Sequence, residues 1–381
     1  MKNVSKIIPC YAADTSGVCS ALYELGGLTV VHDASGCNST YSTHDEPRWY
    51  DVRSKIYISA MTELDMVLGN DEKFISDVVS AAHDQEPEFI SICGSPMPMM
   101  TGFDYDAVAY EIGQRSGIKT IPLHTNGTRS YIEGASEAFV EIIKAYAEET
   151  EKTKNGVNVL GLTPLDFPLG ADRDIKKWLD ENGFKCICTL AMGCTVDDVR
   201  KMAGAALNLV VSHSGLAAAE YMKEQFGIPY VCGVPFGKGF SKKLADHMIS
   251  VITDSDSFSP FVLPCDGFPD ADTIIIGESI TSGSLAAALW SDMKITAKPL
   301  CTLPSHRFFT RHSAEDIYAE EDIEAYLKET APKTVIADPL YKYILPKETK
   351  LITLPHFAFS GRCFAKDMHS LINREIKEYF K

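Results

Sequence analysis

The chain has 381 residues, 45% hydrophobic and 23% charged, with eleven cysteines and a formal net charge of −16. That composition builds two or three hydrophobic cores rather than a disordered chain. So acidic a sequence, without a basic run, excludes chain-wide attraction to nucleic acid or anionic lipid. Polar Lys2, Asn3 and Ser5 interrupt the N-terminus, and no apolar stretch reaches export or membrane-spanning length. The expectation is a cytoplasmic protein whose cysteines are reduced thiols or metal ligands rather than disulfides.

In chain order, apolar runs rich in β-branched residues predict buried strands at 28–31, 89–93, 157–162, 207–212, 273–276 and 334–338. Helical spacing predicts helices at 74–83, 135–149, 171–182, 214–226, 282–289 and 320–330. The alternation gives an α/β fold of mostly parallel sheets flanked by helices. Two charged or breaker-rich passages, 148–156 and 255–272, divide it into three Rossmann-like domains. Their expected limits are 1–152, 153–266 and 267–381, the first carrying the candidate cluster cysteines and the last closing with a C-terminal helix. Each domain holds a strand followed by a polar or Gly-containing turn: SICGSPM, LGLTPLDFPLGADRD and IIGESITSGS. Ligands of such sheets gather at the carboxyl ends of the strands, where these turns fall. The nearest approach to a phosphate loop, 233–239, has the wrong spacing and no Ser or Thr after Lys238. Any nucleotide-driven step therefore has to come from another protein.

Three cysteines stand at or just beyond apolar runs: Cys10 after Ile7-Ile8-Pro9, Cys37 at the end of VVHDASGC, and Cys93 at the end of FISIC. Strand ends converge on one sheet edge, so thiolates from separate segments can meet there and hold a soft-metal cluster. Gly36 and Gly94 remove bulk beside two of them. The alternative is core packing, since the spacing is neither a CxxC zinc pair nor a compact ferredoxin run. For Cys186, Cys188 and Cys194, packing is favoured over zinc, because the first two lie at strand period and no histidine partners them. Cys19 lines the region from a helix, and Met97, Met99 and Met100 are expected to fill gaps or wall a cavity.

The stretch VVHDASGCNSTYSTHDEP resembles the HGxxGC loop of nitrogenase component 1 subunits and their relatives, with His44, Glu46 and Pro47 matching the charged segment that follows. Cys10 resembles the family's first cluster cysteine and Cys93 the third, ahead of a Gly-Asp-type turn, here TGFD at 101–104. Segments 160–163, 175–183, 206–211 and 227–231 resemble the family's second domain in order, and FSGRCFAKDM at 359–368 its C-terminal segment. There are departures: HDASGC replaces HGPxGC, the chain is shorter than a nitrogenase subunit, and Cys93 stands about three residues further from Gly102 than its counterpart.

The resemblance implies the catalytic component of a two-component reductase, an oxidoreductase that is nitrogenase-like rather than a true nitrogenase. Cys10, Cys37 and Cys93 would hold a 4Fe-4S cluster or a larger P-cluster-like form, fed with single electrons by a separate P-loop ATPase iron-sulfur reductase. Three cysteines leave a cubane one ligand short, which implies a homodimer, or a heterodimer or heterotetramer with a second component-1 chain. His32 and Asp33 would orient Cys37 or offer a carboxylate as fourth ligand. The turn holding His44, Asp45, Glu46 and Arg48 is either a solvated loop or, by resemblance, a docking surface or proton relay. Ser212 stands where the nitrogenase α-subunit has a cofactor thiolate, and a hydroxyl is a poor ligand for such a cofactor.

His356 falls one residue from the family's cofactor histidine. It is the expected catalytic residue, binding a small-molecule or tetrapyrrole-like substrate or giving it a proton, unless it is only a histidine within an aromatic cluster. The substrate is expected between the three domains, near Ser212 and His356. Two rival readings remain: a scaffold or carrier for metallocluster assembly without turnover, and a metal-free ligand-binding module.

Overall fold

The computed structural model describes residues 6, 7, 10, 12–253, 271–305 and 319–380. The six apolar runs become the inner strands of three four-stranded sheets, and every strand pairing is parallel. The first sheet contains β1 (Leu28–His32), β2 (Ile56–Ile58), β3 (Ile90–Gly94) and β4 (Thr120–Pro122), in the order β2-β1-β3-β4. The second contains β5 (Gly156–Leu160), β6 (Lys185–Thr189), β7 (Leu207–Val210) and β8 (Tyr230–Cys232), ordered β6-β5-β7-β8. The third contains β9 (Thr273–Gly277), β10 (Ala297–Cys301), β11 (Thr334–Ala337) and β12 (Lys350–Thr353), ordered β10-β9-β11-β12. One topology thus recurs three times. β1, β3 and β5 are buried at all five positions, which is why inner strands read as continuous apolar runs.

Helices α1 (Asp14–Leu22), α2 (Glu63–Leu68), α3 (Asp71–Gln85), α4 (Pro96–Thr101), α5 (Tyr105–Ser116) and α6 (Tyr131–Tyr146) accompany the first sheet. With the second come α7 (Ala171–Glu181), α8 (Val196–Arg200), α9 (Leu216–Phe226) and α10 (Gly239–Thr253), and with the third α11 (Ser279–Met293), α12 (Glu320–Thr330) and α13 (Phe357–Ser360). Where a C-terminal helix is expected, the chain instead closes with four-residue α13 and short 3-10 turns at Gly361–Asp367 and Ile376–Glu378. Gly361, at φ +57°, breaks the helix there. The breaker passage 148–156 falls between α6 and β5; most of the other, 255–272, lies outside the described residues.

Helix α6 is the beam that joins the units. Its Phe139 and Ile142 belong to the core shared by the first two sheets, with Val31, Val159 and Trp178. Its first residues, Tyr131 and Ile132, pack in the core of the third sheet with Leu165, Phe357 and Phe359. α1 crosses it at glycine contacts: a Cβ on Gly17 would stand 2.0 Å from the Tyr131 carbonyl, and one on Gly134 1.9 Å from the Asp14 carbonyl. The expectation that Met99 and Met100 fill a gap or cavity is not met. Both are exposed at the end of α4, a helix that buries only Pro98. No described helix is long and apolar enough to cross a membrane.

Candidate functional site

The turns that follow β5, β9 and β12 meet the start of α6. β5 leads to Asp166, β9 to Glu278 at the head of α11, and β12 to His356. The Asp166 side chain is wholly buried, with Oδ1 2.9 Å from His356 Nε2. The same oxygen accepts a hydrogen bond from the Tyr131 hydroxyl, and Oδ2 accepts one from Thr163 Oγ1 at 3.2 Å. One carboxylate therefore joins α6, the second unit and the C-terminal segment. Burial, and next to it the Asp166 charge, push the Tyr131 phenol well above its ordinary range, so it stays protonated and donates.

His356 is fixed from behind. Its backbone N–H donates to Asp338 Oδ2 at 2.9 Å, the same oxygen accepts Ser360 Oγ at 2.7 Å, and Asp338 Oδ1 accepts Leu340 N at 3.0 Å. The ring packs against Phe359 at 4.7 Å and edge-on to Tyr131 at 6.3 Å. It thus sits in an aromatic cluster and also opens onto a cleft.

That cleft encloses about 690 Å³ of empty space, part of it open to solvent. Phe236, Leu285 and Leu371 give it apolar walls, while His356, Glu278 and His369 supply polar groups. Apolar walls with a few convergent polar groups are the usual form of a small-molecule site. Wholly buried Glu278 accepts from His213 N (2.9 Å), Ile280 N (3.0 Å), Ser279 Oγ (2.9 Å) and Thr281 N (2.9 Å), tying the turn after β7 to the start of α11. Burial and then the Asp166 charge raise its carboxyl above the ordinary range, against those backbone donors.

Ser212 departs from expectation. Strand β7 ends at Val210 and a 3-10 turn follows at His213–Gly215, which turns Ser212 into local packing. Its hydroxyl donates to Gly161 O at 2.7 Å and lies 2.7 Å from Ser214 Oγ. The residue is fully buried and absent from the cleft wall. A substrate in this cleft meets His356 but not Ser212.

The three candidate cluster cysteines occupy different surroundings. Half-buried Cys10 lies with Sγ 3.4 Å from Ala12 O and 3.7 Å from Ala358 O, and burial pushes its thiol up to about 12. Cys37 is exposed, in a loop anchored by Asp33, which accepts from Ala34 N at 2.8 Å, Ser95 Oγ at 2.7 Å and Asn38 Nδ2 at 2.5 Å. Asp33 is thus spent on holding the loop. His32 stacks on Phe74 and Phe103 and hydrogen-bonds Ser59 Oγ at 2.9 Å. Cys93 is fully buried in β3, its thiol against Cys19 of α1 and Thr125. Among the described residues no three His, Cys, Asp or Glu side chains are gathered to hold a metal ion. Cys10, Cys37 and Cys93 accordingly do not form a ready-made set within the single chain.

A solvated loop and a docking surface do not fit Glu46 and Arg48 in the charged turn, since the two form a buried ion pair. The phosphate-loop lookalike is also occupied: the N–H groups of Lys238 and Gly239 donate to the Asp292 carboxylate at 2.7 and 2.8 Å. Sequence reasoning missed Asp166, Glu278, Asp338 and Tyr131 as individual residues. Asp166 and Glu278 lie within two of the strand-end turns it singled out, which was the available signal; Tyr131 gives none.

The family described as nitrogenase component 1 type oxidoreductase matches residues 18–249. The nitrogenase molybdenum-iron protein alpha chain of Methanosarcina barkeri is 26% identical over 206 residues, covering 51% of this chain and 37% of that protein. A light-independent protochlorophyllide reductase subunit of Prosthecochloris aestuarii is 31% identical over 125 residues, 32% of this chain and 24% of that one. The nitrogenase iron-molybdenum cofactor biosynthesis protein NifE of Clostridium pasteurianum is 27% identical over 244 residues, 60% and 52% of the two chains. The chain thus spans only about a quarter to a half of the length of these relatives. A solved structure titled "Nitrogenase Cp1 at pH 5" superposes with a TM-score of 0.68 over 98% of this chain and 87% of that one, at 16% identity, a likeness of fold. With a match over more than half its length, the chain belongs to the nitrogenase component 1 type oxidoreductase family.

Proposed function

We propose that the chain is the catalytic component of a nitrogenase-like two-component reductase, working in the cytoplasm on a small or tetrapyrrole-like molecule held in the His356 cleft. The observation that carries this reading is the closeness of Cys10 to the segment that bears His356, with the charge of Asp166, a cleft residue, acting on its thiol. Cys10 Sγ lies 3.7 Å from the carbonyl of Ala358, two residues beyond His356, and Ala12 N donates to that carbonyl at 3.0 Å. A donor held at Cys10 would stand behind the backbone that carries His356 rather than a domain away. An iron-sulfur cluster, when bound, supplies single electrons, which in this proposal originate from a P-loop ATPase iron-sulfur reductase.

Exposed Cys37 and half-buried Cys10 fit ligation; Cys93 fits only if its thiol leaves Cys19, so a second component-1 chain, identical or not, would complete the ligand set. His356 would bind the substrate and give it the proton that each added electron requires. The match to NifE over 60% of the chain favours one second reading, a scaffold or carrier for metallocluster assembly.

Anaerobic purification with iron analysis, followed by mixing with an ATP-driven iron-sulfur reductase, tests the proposal. An iron-loaded protein that takes up electrons supports it. One that holds iron but accepts none indicates a carrier, and a colourless, iron-free protein indicates a metal-free binding module.

A further inference from the structure

The His356 ring uses one nitrogen on the protein and leaves the other unused. Nε2 is 2.9 Å from Asp166 Oδ1, whereas Nδ1 has no hydrogen bond among the described residues, and the ring, 14% exposed, lines the cleft. Asp166 cannot rotate away, because Tyr131 and Thr163 donate to its two oxygens. An ionised carboxylate only accepts hydrogen bonds, so it demands a proton on Nε2 and leaves the Nδ1 lone pair of the neutral ring free.

We propose that Asp166, held by Tyr131, is the positioning residue that fixes His356 in the Nε2–H form and presents Nδ1 to the cleft as the atom that exchanges a proton with the ligand. This rests on the cleft being the substrate site proposed above. In the reduction step, the imidazolium's Nδ1–H proton passes to the atom that has received an electron from the iron-sulfur reductase. The ring returns to neutral with its Nε2–H still on Asp166, and solvent reprotonates Nδ1 from the open side. The two carboxylate residues that line the cleft with His356, Asp166 and Glu278, fit a ligand that is neutral or cationic at its reacting end and apolar where it meets Phe236, Leu285 and Leu371.

The test is long-range 1H–15N correlation of the imidazole rings in the full chain with 15N-labelled histidine. It is recorded where the rings are neutral, with His356 assigned through His356→Gln. The expected wild-type pattern is a protonated Nε2 and a bare Nδ1, retained in Tyr131→Phe. Asp166→Ala should redistribute the ring over both forms, and Asp166→Asn should shift it toward Nδ1–H through an amide donor. A wild-type ring found as Nδ1–H or as a mixture overturns the proposal whether or not any variant folds. So does an unchanged pattern in a folded Asp166→Ala protein. The readout needs neither iron nor electron transfer, so it stands apart from failure of the reductase proposal.

Discussion

Arg48 Nε lies 2.6 Å from Glu46 Oε1, with the two side chains only 4% and 2% exposed. The remaining guanidinium nitrogens reach Glu24 Oε1 at 3.1 Å, Ser20 O at 2.6 Å and Ala191 O at 2.9 Å. Ala191 belongs to the turn after β6, so this pair fastens the loop following the candidate Cys37 site to the second sheet. Arg48→Met should destabilise the protein by about 3–5 kcal/mol, because it strands a buried carboxylate. Replacing both partners, Arg48→Met with Glu46→Leu, should recover much of that loss. Denaturant midpoints of the two proteins decide it, and equal midpoints would remove the argument.

A second prediction concerns His32, whose imidazole burial lowers to about 4 from an unfolded value near 6.5. The unfolded chain then binds more protons between those values, so stability rises with pH across the window. The His32 contribution is fully present above about pH 6.5 and lost as the pH falls toward 4, amounting to about 3 kcal/mol. His32→Phe removes this titration, so its stability relative to the parent should improve steadily on acidification. A pH-independent difference between the two would contradict the assignment.

Two glycine substitutions should act in opposite directions. Gly134→Ala drives a methyl to 1.9 Å from the Asp14 carbonyl and must part α1 from α6, costing at least about 1–3 kcal/mol. Gly113→Ala in α5 meets nothing closer than 3.6 Å and should gain up to about 1 kcal/mol from helix propensity. Thermal unfolding of the pair checks both signs.

Serine replacement of the candidate ligands separates packing from ligation. Cys37→Ser should leave stability unchanged because the thiol is exposed. Cys93→Ser should cost about 1 kcal/mol, because a buried hydroxyl replaces the thiol packed on Cys19, with Thr125 beside it to pair with the hydroxyl. Iron content after anaerobic purification should fall in Cys10→Ser and Cys37→Ser and hold in Cys186→Ser. Undiminished iron in the first two would end the cluster assignment.

What the sequence determined by itself is the α/β class and the inner pair of strands in each sheet: β1 and β3, β5 and β7, β9 and β11. These are covered on both faces and so are mostly apolar, with buried polar side chains paired across strands as in Ser91–Thr29 and Asn158–Asn208. Of the outer strands only β6 showed in the sequence, as the strand period of Cys186 and Cys188; the others escaped because their demands are weaker: β2, β4 and β8 have three residues each, β10 contains Pro299, and β12 has no fully buried position. The strand-end turns were legible too, and they mark the side of the sheets on which Asp166, Glu278 and His356 lie. Only the tertiary structure decided which side chains meet there. Tyr131, Asp166 and His356 come from three separate stretches of chain, and no periodicity records that one buried carboxylate accepts a hydrogen bond from Tyr131 and lies 2.9 Å from the His356 ring nitrogen. The same limit holds for the cysteines. Cys93 reads as a strand-end thiol in sequence, yet the alternation of side chains along β3 turns it inward against Cys19, while Cys37, on a loop free of that alternation, stays exposed to solvent.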